Sequence, residues 1–136
     1  MGWLPSELKE RLKKSECHTP LNIEWNGGIK IPARGILVGQ FAAQGQYDIA
    51  VICQAKDTDR IFIHWGGPQK CSNEFENNGE SIEIENEETV RPYLKRYGSN
   101  WPSTLTHDAI GMYFFGKSSF YEYCHNGEWL HSDGAD

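Results

Sequence analysis

Residues 121–131 have the sequence YEYCHNGEWLH, in which Asn126-Gly127 separates two runs of strand-forming residues. Asn-Gly is the preferred pair for a two-residue hairpin turn, because both positions of that turn need a positive φ. A two-residue loop here places Glu122 opposite His131. The hairpin decides the fold class, because the same alternation between turn signals recurs along most of the chain.

Two further turns extend this pattern toward the amino terminus. A three-residue loop at 26–28 sets Trp25 opposite Ile29 and Glu24 opposite Lys30, which gives one apolar face and one charge pair. An odd-length loop at 57–59 follows the same logic. It predicts that Ala55, Cys53 and Val51 pair with Ile61, Ile63 and Trp65.

Two segments have helical rather than strand periodicity. Leucines recur every fourth residue from Leu4 to Leu12, and Ser6 can cap a helix there. A second helix is predicted near 87–97, with Asn86 as its cap. Pro92 falls inside that segment and predicts either a kink or a later start.

We therefore predict one α+β domain, residues 1–136, with a twisted antiparallel sheet of about six or seven strands and two helices. Its parts are a helix and link (1–18), a hairpin-rich sheet (21–65), a polar loop (66–80), a strand, helix and aromatic hairpin (81–131) and a polar tail (132–136).

Composition narrows the class of protein. The chain has 38% hydrophobic residues and a net charge of −6, and it contains no apolar run long enough for a membrane span. Its start lacks a secretory signal pattern, so we expect a cytoplasmic protein. Four widely spaced cysteines fit reduced thiols in such a compartment. Small acidic accessory proteins of bacteria have this general style.

Acidic residues are concentrated in one part of the chain. Seven glutamates lie between Cys71 and Val90, where there is no Lys or Arg. One interpretation is a solvated surface, and the other is a surface for a basic protein partner. Nucleic-acid binding is not expected, because the basic residues are not concentrated. The glutamates are Glu74, Glu76, Glu80, Glu83, Glu85, Glu87 and Glu88.

Histidines and nearby aromatic residues suggest a ligand pocket. His64 stands at a strand end beside a glycine turn, and the Glu122 and His131 pair has the groups that general acid and base chemistry uses. Ordinary cross-strand stabilisation explains the same pair, so no catalytic residue is assigned. We expect no cofactor and no metal site, because adjacent Cys-His residues point to opposite strand faces. The predicted pocket residues are His64, Trp65, Tyr121, Glu122 and His131.

The late strands carry aromatic residues on both faces. One face can form the core, and the other must meet a helix, a ligand or a second subunit. We favour a homodimer contact. The interface residues predicted on this basis are Tyr113, Phe115, Tyr121, Tyr123 and Trp129.

Two functional hypotheses follow. The first is a non-catalytic, self-associating interaction module, in the style of an immunity protein or antitoxin, that presents its glutamates to a partner. The second is a small-molecule binding protein or small enzyme that uses the aromatic pocket near His64. A concave cavity would favour the second hypothesis, and a flat apolar face on a two-fold axis the first.

Overall fold

The structure, a computed structural model, describes residues 3–20, 22–25, 28–97, 100–114 and 118–135. Within these ranges the chain forms two helices and ten strands, which confirms the predicted α+β class with antiparallel pairing. In chain order they are α1 (Ser6–Lys14), β1 (Asn22–Trp25), β2 (Ile29–Pro32), β3 (Ile36–Gly39), β4 (Asp48–Ala55), β5 (Thr58–His64), β6 (Glu74–Glu76), β7 (Ser81–Glu85), α2 (Glu87–Tyr97), β8 (Ala109–Phe114), β9 (Ser118–His125) and β10 (Glu128–Asp133).

The strands form two four-stranded sheets and a separate hairpin, where the sequence predicts one sheet of six or seven strands. The first sheet has the order β3-β4-β5-β6, the second has the order β10-β9-β8-β7, and β1 pairs with β2. The strands divide into two sheets because each sheet has an apolar face to bury. Each sheet buries one face against the other sheet, so a single continuous sheet is not needed to complete the core.

The inner faces of the two sheets share one hydrophobic core. Leu37, Ile52 and Ile61 from the first sheet pack in the same cluster as Ile110 and Met112 from the second. The sheets also meet at one edge, because the Ile82 N–H donates to the Arg34 carbonyl oxygen at 2.8 Å. The core therefore runs through both sheets.

Each outer face is covered by one helix. Leu8 of α1 packs on Val51 and Phe62 of the first sheet, while Leu94 of α2 packs with Tyr121 of the second. These contacts give four layers in the order α1, first sheet, second sheet, α2. We call α1 with the first sheet the α1 half, and the second sheet with α2 the α2 half.

The helix starts agree only in part with the sequence. Asn86 caps α2 as predicted, since its Oδ1 accepts the Thr89 N–H at 3.1 Å, and Pro92 lies inside the helix. The predicted Ser6 cap is wrong. Pro5 occupies the cap position, since its carbonyl oxygen accepts the Lys9 N–H at 3.0 Å, and its side chain has no acceptor for a capping bond.

Two of the three predicted hairpin registers are confirmed. The β9–β10 pairing sets Glu122 opposite His131, with φ values of 50° at Asn126 and 83° at Gly127. The β1–β2 pairing sets Trp25 opposite Ile29. At β9–β10 the turn residues and the alternation favour the same register. At β1–β2 a two-residue Asn26-Gly27 loop would give a mixed register, and the alternation alone selects the observed one.

The predicted β4–β5 register is wrong. Ala55 pairs with Thr58, which leaves a two-residue loop and sets Cys53 opposite Arg60 and Val51 opposite Phe62. The prediction assumed that one apolar face would select the register. Both faces of this hairpin are buried, one by α1 and one by the second sheet, so the alternation does not discriminate between registers.

The four cysteines form two disulfides, so the expectation of reduced thiols is wrong. Cys17 pairs with Cys53, and Cys71 pairs with Cys124. The wide spacing that suggested free thiols reflects connections between elements that are distant in sequence. Cys71–Cys124 links the two halves, whereas Cys17–Cys53 lies within the α1 half.

Two predicted segment types are also corrected. The polar loop at 66–80 contains the short strand β6, which pairs with β5. The polar tail at 132–136 is not free in its described part, because β10 runs to Asp133 and the Ser119 N–H donates to the Ala135 carbonyl oxygen. Backbone pairing orders both segments, and in β6 the buried side chain of Phe75 adds a contact with the core.

Candidate functional site

The predicted pair of Glu122 and His131 is formed. His131 Nδ1 contacts Glu122 Oε2, and His131 Nε2 lies 3.1 Å from Asp133 Oδ1. Burial raises the pKa of the Glu122 carboxyl group, while the hydrogen bond that His131 donates to Glu122 raises the pKa of His131 to about 8. With a pKa of about 8, His131 is mainly an imidazolium at neutral pH, and both of its ring nitrogens face carboxyl oxygens. No imidazole nitrogen remains to accept a proton from a ligand.

The other predicted pocket residues lie in different layers. His64 faces α1, where its Nδ1 is 2.8 Å from Glu7 Oε2. Trp65 packs in the inner core, stacked on Trp129 at 5.8 Å. Tyr121 is buried beneath α2. The structure therefore does not bring the predicted pocket together, because alternate residues of each strand face different layers.

The predicted interface residues are mostly covered by their own chain. Tyr121 and Tyr123 are 2% and 1% exposed, beneath α2 and Trp101. Trp129 packs against Phe75 with 4.6 Å between ring centroids, Tyr113 is half-buried, and Phe115 lies outside the described residues. The second aromatic face meets a helix, so it no longer requires a second subunit.

The seven glutamates are distributed over β6, β7, the link between them and the start of α2, and several have partners. Glu74 lies 3.6 Å from Arg60 and Glu83 lies 3.3 Å from Arg34. Glu85 accepts the Tyr113 hydroxyl at 2.8 Å, and Glu87 accepts the Leu105 N–H at 2.6 Å. Glu76 and Glu88 are exposed, and Glu80 is half-buried. Much of this charge is thus used inside the fold.

A pocket that the sequence does not predict lies where four loops meet. It has a volume of about 320 Å³. Its walls are residues 42–44 after β3, residues 69–70 after β5, residues 106–107 before β8, and residues 124–127 at the β9–β10 turn. We call this the four-loop pocket. It lies beside the Cys71–Cys124 disulfide, because Lys70 and Cys124 both line it.

Hydrogen bonds hold the first two walls together. Gln46 Nε2 donates to the Gln69 carbonyl oxygen at 2.7 Å, and Gln46 Oε1 accepts the Gln69 N–H at 3.2 Å. The buried carboxylate of Asp48 supports both loops by accepting Gln46 Nε2, the Phe41 N–H and the Gly66 N–H. Close approach also matters at Gly66, where an added Cβ would lie 1.9 Å from the Tyr47 carbonyl oxygen.

His107 holds the third wall to the fourth. Its Nε2–H donates to the Cys124 carbonyl oxygen at 2.7 Å, and its Nδ1 faces the Tyr123 hydroxyl at 3.3 Å and Thr106 Oγ1 at 3.1 Å. The ring stacks on Tyr123 with 4.3 Å between centroids. Burial lowers the His107 pKa, so the imidazole is neutral at pH 7. It positions the walls and has no nitrogen left for a ligand.

The residues that line the pocket differ in charge from the chain as a whole. It includes Lys70 and His125 but neither Asp nor Glu, in a chain whose net charge is −6. Three side-chain amides, those of Gln44, Gln69 and Asn126, also line it. Such a lining can bind a polar molecule by donating hydrogen bonds, and its walls are already in place without a ligand.

Sequence reasoning misses this pocket for a physical reason. Its four walls are up to 85 residues apart, from Ala42 to Gly127, and only the folded topology brings them together. The signals present in the sequence are weak ones. The small-residue connection at 42–46 and the irregular segment before β8 are loops, and loops commonly carry binding residues.

Comparisons with known proteins give no relative. No family model, curated protein or solved structure matches this chain. The site must therefore be interpreted from its own geometry.

Two features are absent from the described residues, a helix that could cross a membrane and a cluster of metal-binding side chains. No helix among them is long and apolar enough to cross a membrane. In the same part of the chain, no group of three or more His, Cys, Asp or Glu side chains is arranged to hold a metal ion.

Proposed function

We propose that this protein is a non-catalytic binding module that takes a small polar molecule in the four-loop pocket. The observation that carries the proposal is the polar lining of a pocket whose walls are already fixed. At the pocket, internal hydrogen bonds fix the walls, and the lining includes Lys70 and the amide residues Gln44 and Gln69. Polar donors around a cavity whose walls are already in place favour binding.

The groups that resemble catalytic machinery support a binding role rather than chemistry. Both nitrogens of His131 face carboxylates, and both nitrogens of His107 are used in contacts between loops. General acid and base catalysis needs a group within reach of the substrate and with a position free to exchange a proton. These imidazoles stabilise the fold instead.

Self-association is a second proposal, and the structure gives it less support than the sequence does. The aromatic face that suggested a homodimer is covered by α2, although exposed apolar side chains such as Val38 and Tyr47 remain on the α1 half. A basic protein partner for Glu76 and Glu88 likewise remains a proposal, as does a bacterial immunity-like or antitoxin-like role. Cytoplasmic location is a prediction that no longer has support from reduced cysteines.

A thermal-shift screen of small polar molecules tests the binding proposal. A ligand at a hundredfold excess over its Kd stabilises the folded state by about 2.7 kcal/mol, which raises Tm by several degrees. Ala43→Phe fills the pocket, and we expect hits to raise the Tm of the wild type but not of this variant.

The matched control is Ala135→Phe, which adds the same ring at an exposed position outside the pocket lining. Hits should stabilise this control as they stabilise the wild type. Hits that stabilise all three proteins equally would place binding elsewhere. A screen without hits, together with a dimer in light scattering, would favour self-association.

A further inference from the structure

The charge of the Lys70 ammonium group is the first observation that indicates which kind of molecule the pocket binds. Lys70 is exposed, lines the cavity, and forms no ion pair with any side chain in the described ranges. Three arginines, by contrast, each have a glutamate partner: Arg34, Arg60 and Arg91. An unpaired cation at a cavity without carboxylates attracts negative charge.

His125 adds a second donor on the opposite wall. Its Nε2 lies 3.2 Å from Asn126 Nδ2, so the amide donates and the ring proton sits on Nδ1. Nδ1 has no partner among the described residues. The ring stacks on Tyr123 with 6.3 Å between centroids, which limits its rotation. The pocket thus offers an ammonium group from one loop and an imidazole N–H from another.

Two carboxylates near the pocket do not cancel this charge. Asp48 and Asp108 act electrostatically on His107, but neither lines the cavity. Asp48 accepts three N–H groups. Asp108 Oδ2 accepts the Gln40 N–H at 2.9 Å. Their oxygens face the loops that they hold, so a cationic ligand would find no direct acceptor of opposite charge.

The size of the cavity limits the ligand to a small molecule. A volume of about 320 Å³ corresponds to about ten water molecules at roughly 30 Å³ each. A sugar phosphate or a short organic acid fits this space. A folded partner or a nucleic acid strand does not.

From these observations, and resting on the proposed function, we infer that the four-loop pocket binds small organic oxyanions, molecules that carry a carboxylate or phosphate group. Lys70 and His125 contact the oxyanion. The amides of Gln44, Gln69 and Asn126 contact the neutral polar part. The Cys71–Cys124 disulfide holds the loops of Lys70 and His125 near each other, because each residue directly adjoins one of its cysteines.

The test compares anions with neutral analogues of the same shape. Isothermal titration calorimetry measures succinate against succinamide and glycerol 3-phosphate against glycerol, on the intact disulfide-bonded protein. We expect at least one anion to bind at millimolar concentration and its neutral analogue to bind at least about fivefold more weakly, as expected for one solvated charge pair. The two anions distinguish carboxylate from phosphate recognition.

Two lysine variants locate the binding. Lys70→Gln should weaken the anion by about fivefold. Lys56→Gln removes an equally exposed lysine at the β4–β5 turn and should change nothing. Unchanged affinity in Lys70→Gln, or no binding of either anion, overturns the inference. Neutral molecules that bind the pocket as well as the anions also overturn it, but they leave the proposed binding function intact.

Discussion

The α1 half and the α2 half have the same layered arrangement but are held together by different chemistry. In the α1 half, α1 covers a mainly aliphatic face, and Arg11 extends from the helix to the Ile63 and Asn73 carbonyl oxygens at 2.9 and 2.7 Å. In the α2 half, tyrosines, Trp101 and His107 fill the corresponding space. One half is built from apolar packing with polar contacts at its rim, and the other from aromatic rings with polar groups.

The difference between the halves predicts where pH acts. Five of the groups with shifted pKa values belong to the α2 half or its connecting loop, and Asp59 belongs to the first sheet. The five are Glu87, His107, Tyr113, Glu122 and His131. Most of the groups through which pH acts on stability therefore lie in the α2 half.

The largest expected effect comes from separating the halves. Replacing both Cys71 and Cys124 with Ala opens a loop spanning 53 residues and should lower the unfolding free energy by about 4 kcal/mol. Because this disulfide also joins two walls of the pocket, ligand binding should weaken as well. Chemical denaturation measures the first effect, and calorimetry measures the second.

The control for that experiment is the pair Cys17→Ala and Cys53→Ala. Its loop spans 36 residues, so the loss of stability should be similar, at just under 4 kcal/mol. It lies within the α1 half and should leave binding unchanged. Equal loss of binding in both double variants would show that the disulfides act only through global stability.

A smaller effect should appear when pH changes the charge of His131. The His131 pKa rises from 6.5 to about 8 on folding, so its stabilisation is complete below about pH 6.5 and is lost as pH rises through about 8. Since the side chain is 43% exposed, solvent screening reduces the expected loss to about 1 kcal/mol. Denaturation between these pH values should show the loss in the wild type but not in His131→Gln.

His107 provides an internal comparison of opposite sign. Its folded pKa is lowered by burial, so it destabilises the protein as pH falls below the unfolded value near 6.5. His107→Gln should therefore reduce the loss of stability on the acid side and leave the alkaline side unchanged. A variant of either histidine that alters the wrong side of the profile would contradict the pKa directions assigned here.

The smallest expected effect tests the ionic contacts of the α1 half. Glu7 lies 3.5 Å from Arg11 and 2.8 Å from His64, with its side chain 55% exposed. Glu7→Gln should cost less than about 1 kcal/mol, because exposed ion pairs gain little in water. Glu10→Gln, at an exposed position on the same helix, is the control. A cost of several kcal/mol would mean that ionic contacts, rather than Leu8 and its neighbours, hold α1 in place.

The sequence predicts local structure best where two independent signals agree. The Asn126-Gly127 turn and the alternation around it specify one register, and the structure has that register. At β4–β5 both strand faces are largely apolar, so the alternation does not select one register. The predicted loop has three residues and the observed loop has two. Neither the partition into two sheets nor the cysteine pairing follows from local pattern, because both depend on contacts between distant segments.

The candidate site was less predictable than the fold. The register alone predicts the contact between Glu122 and His131. It does not predict that Asp133 also contacts the His131 ring. The predicted pocket failed because His64, Trp65 and Tyr121 face three different layers. The four-loop pocket needs the topology of the whole chain, and His107 has no sequence neighbour that distinguishes it.

The most direct test of the four-loop pocket as the binding site is a heteronuclear NMR titration of the intact protein with succinate or glycerol 3-phosphate. The backbone amides of Gln44, Lys70 and Gly127, which come from three separate loops, should shift together and saturate at one common Kd. Shifts confined to α2 or to the exposed glutamates, or a spectrum unchanged at saturating anion, would contradict a binding site at this pocket.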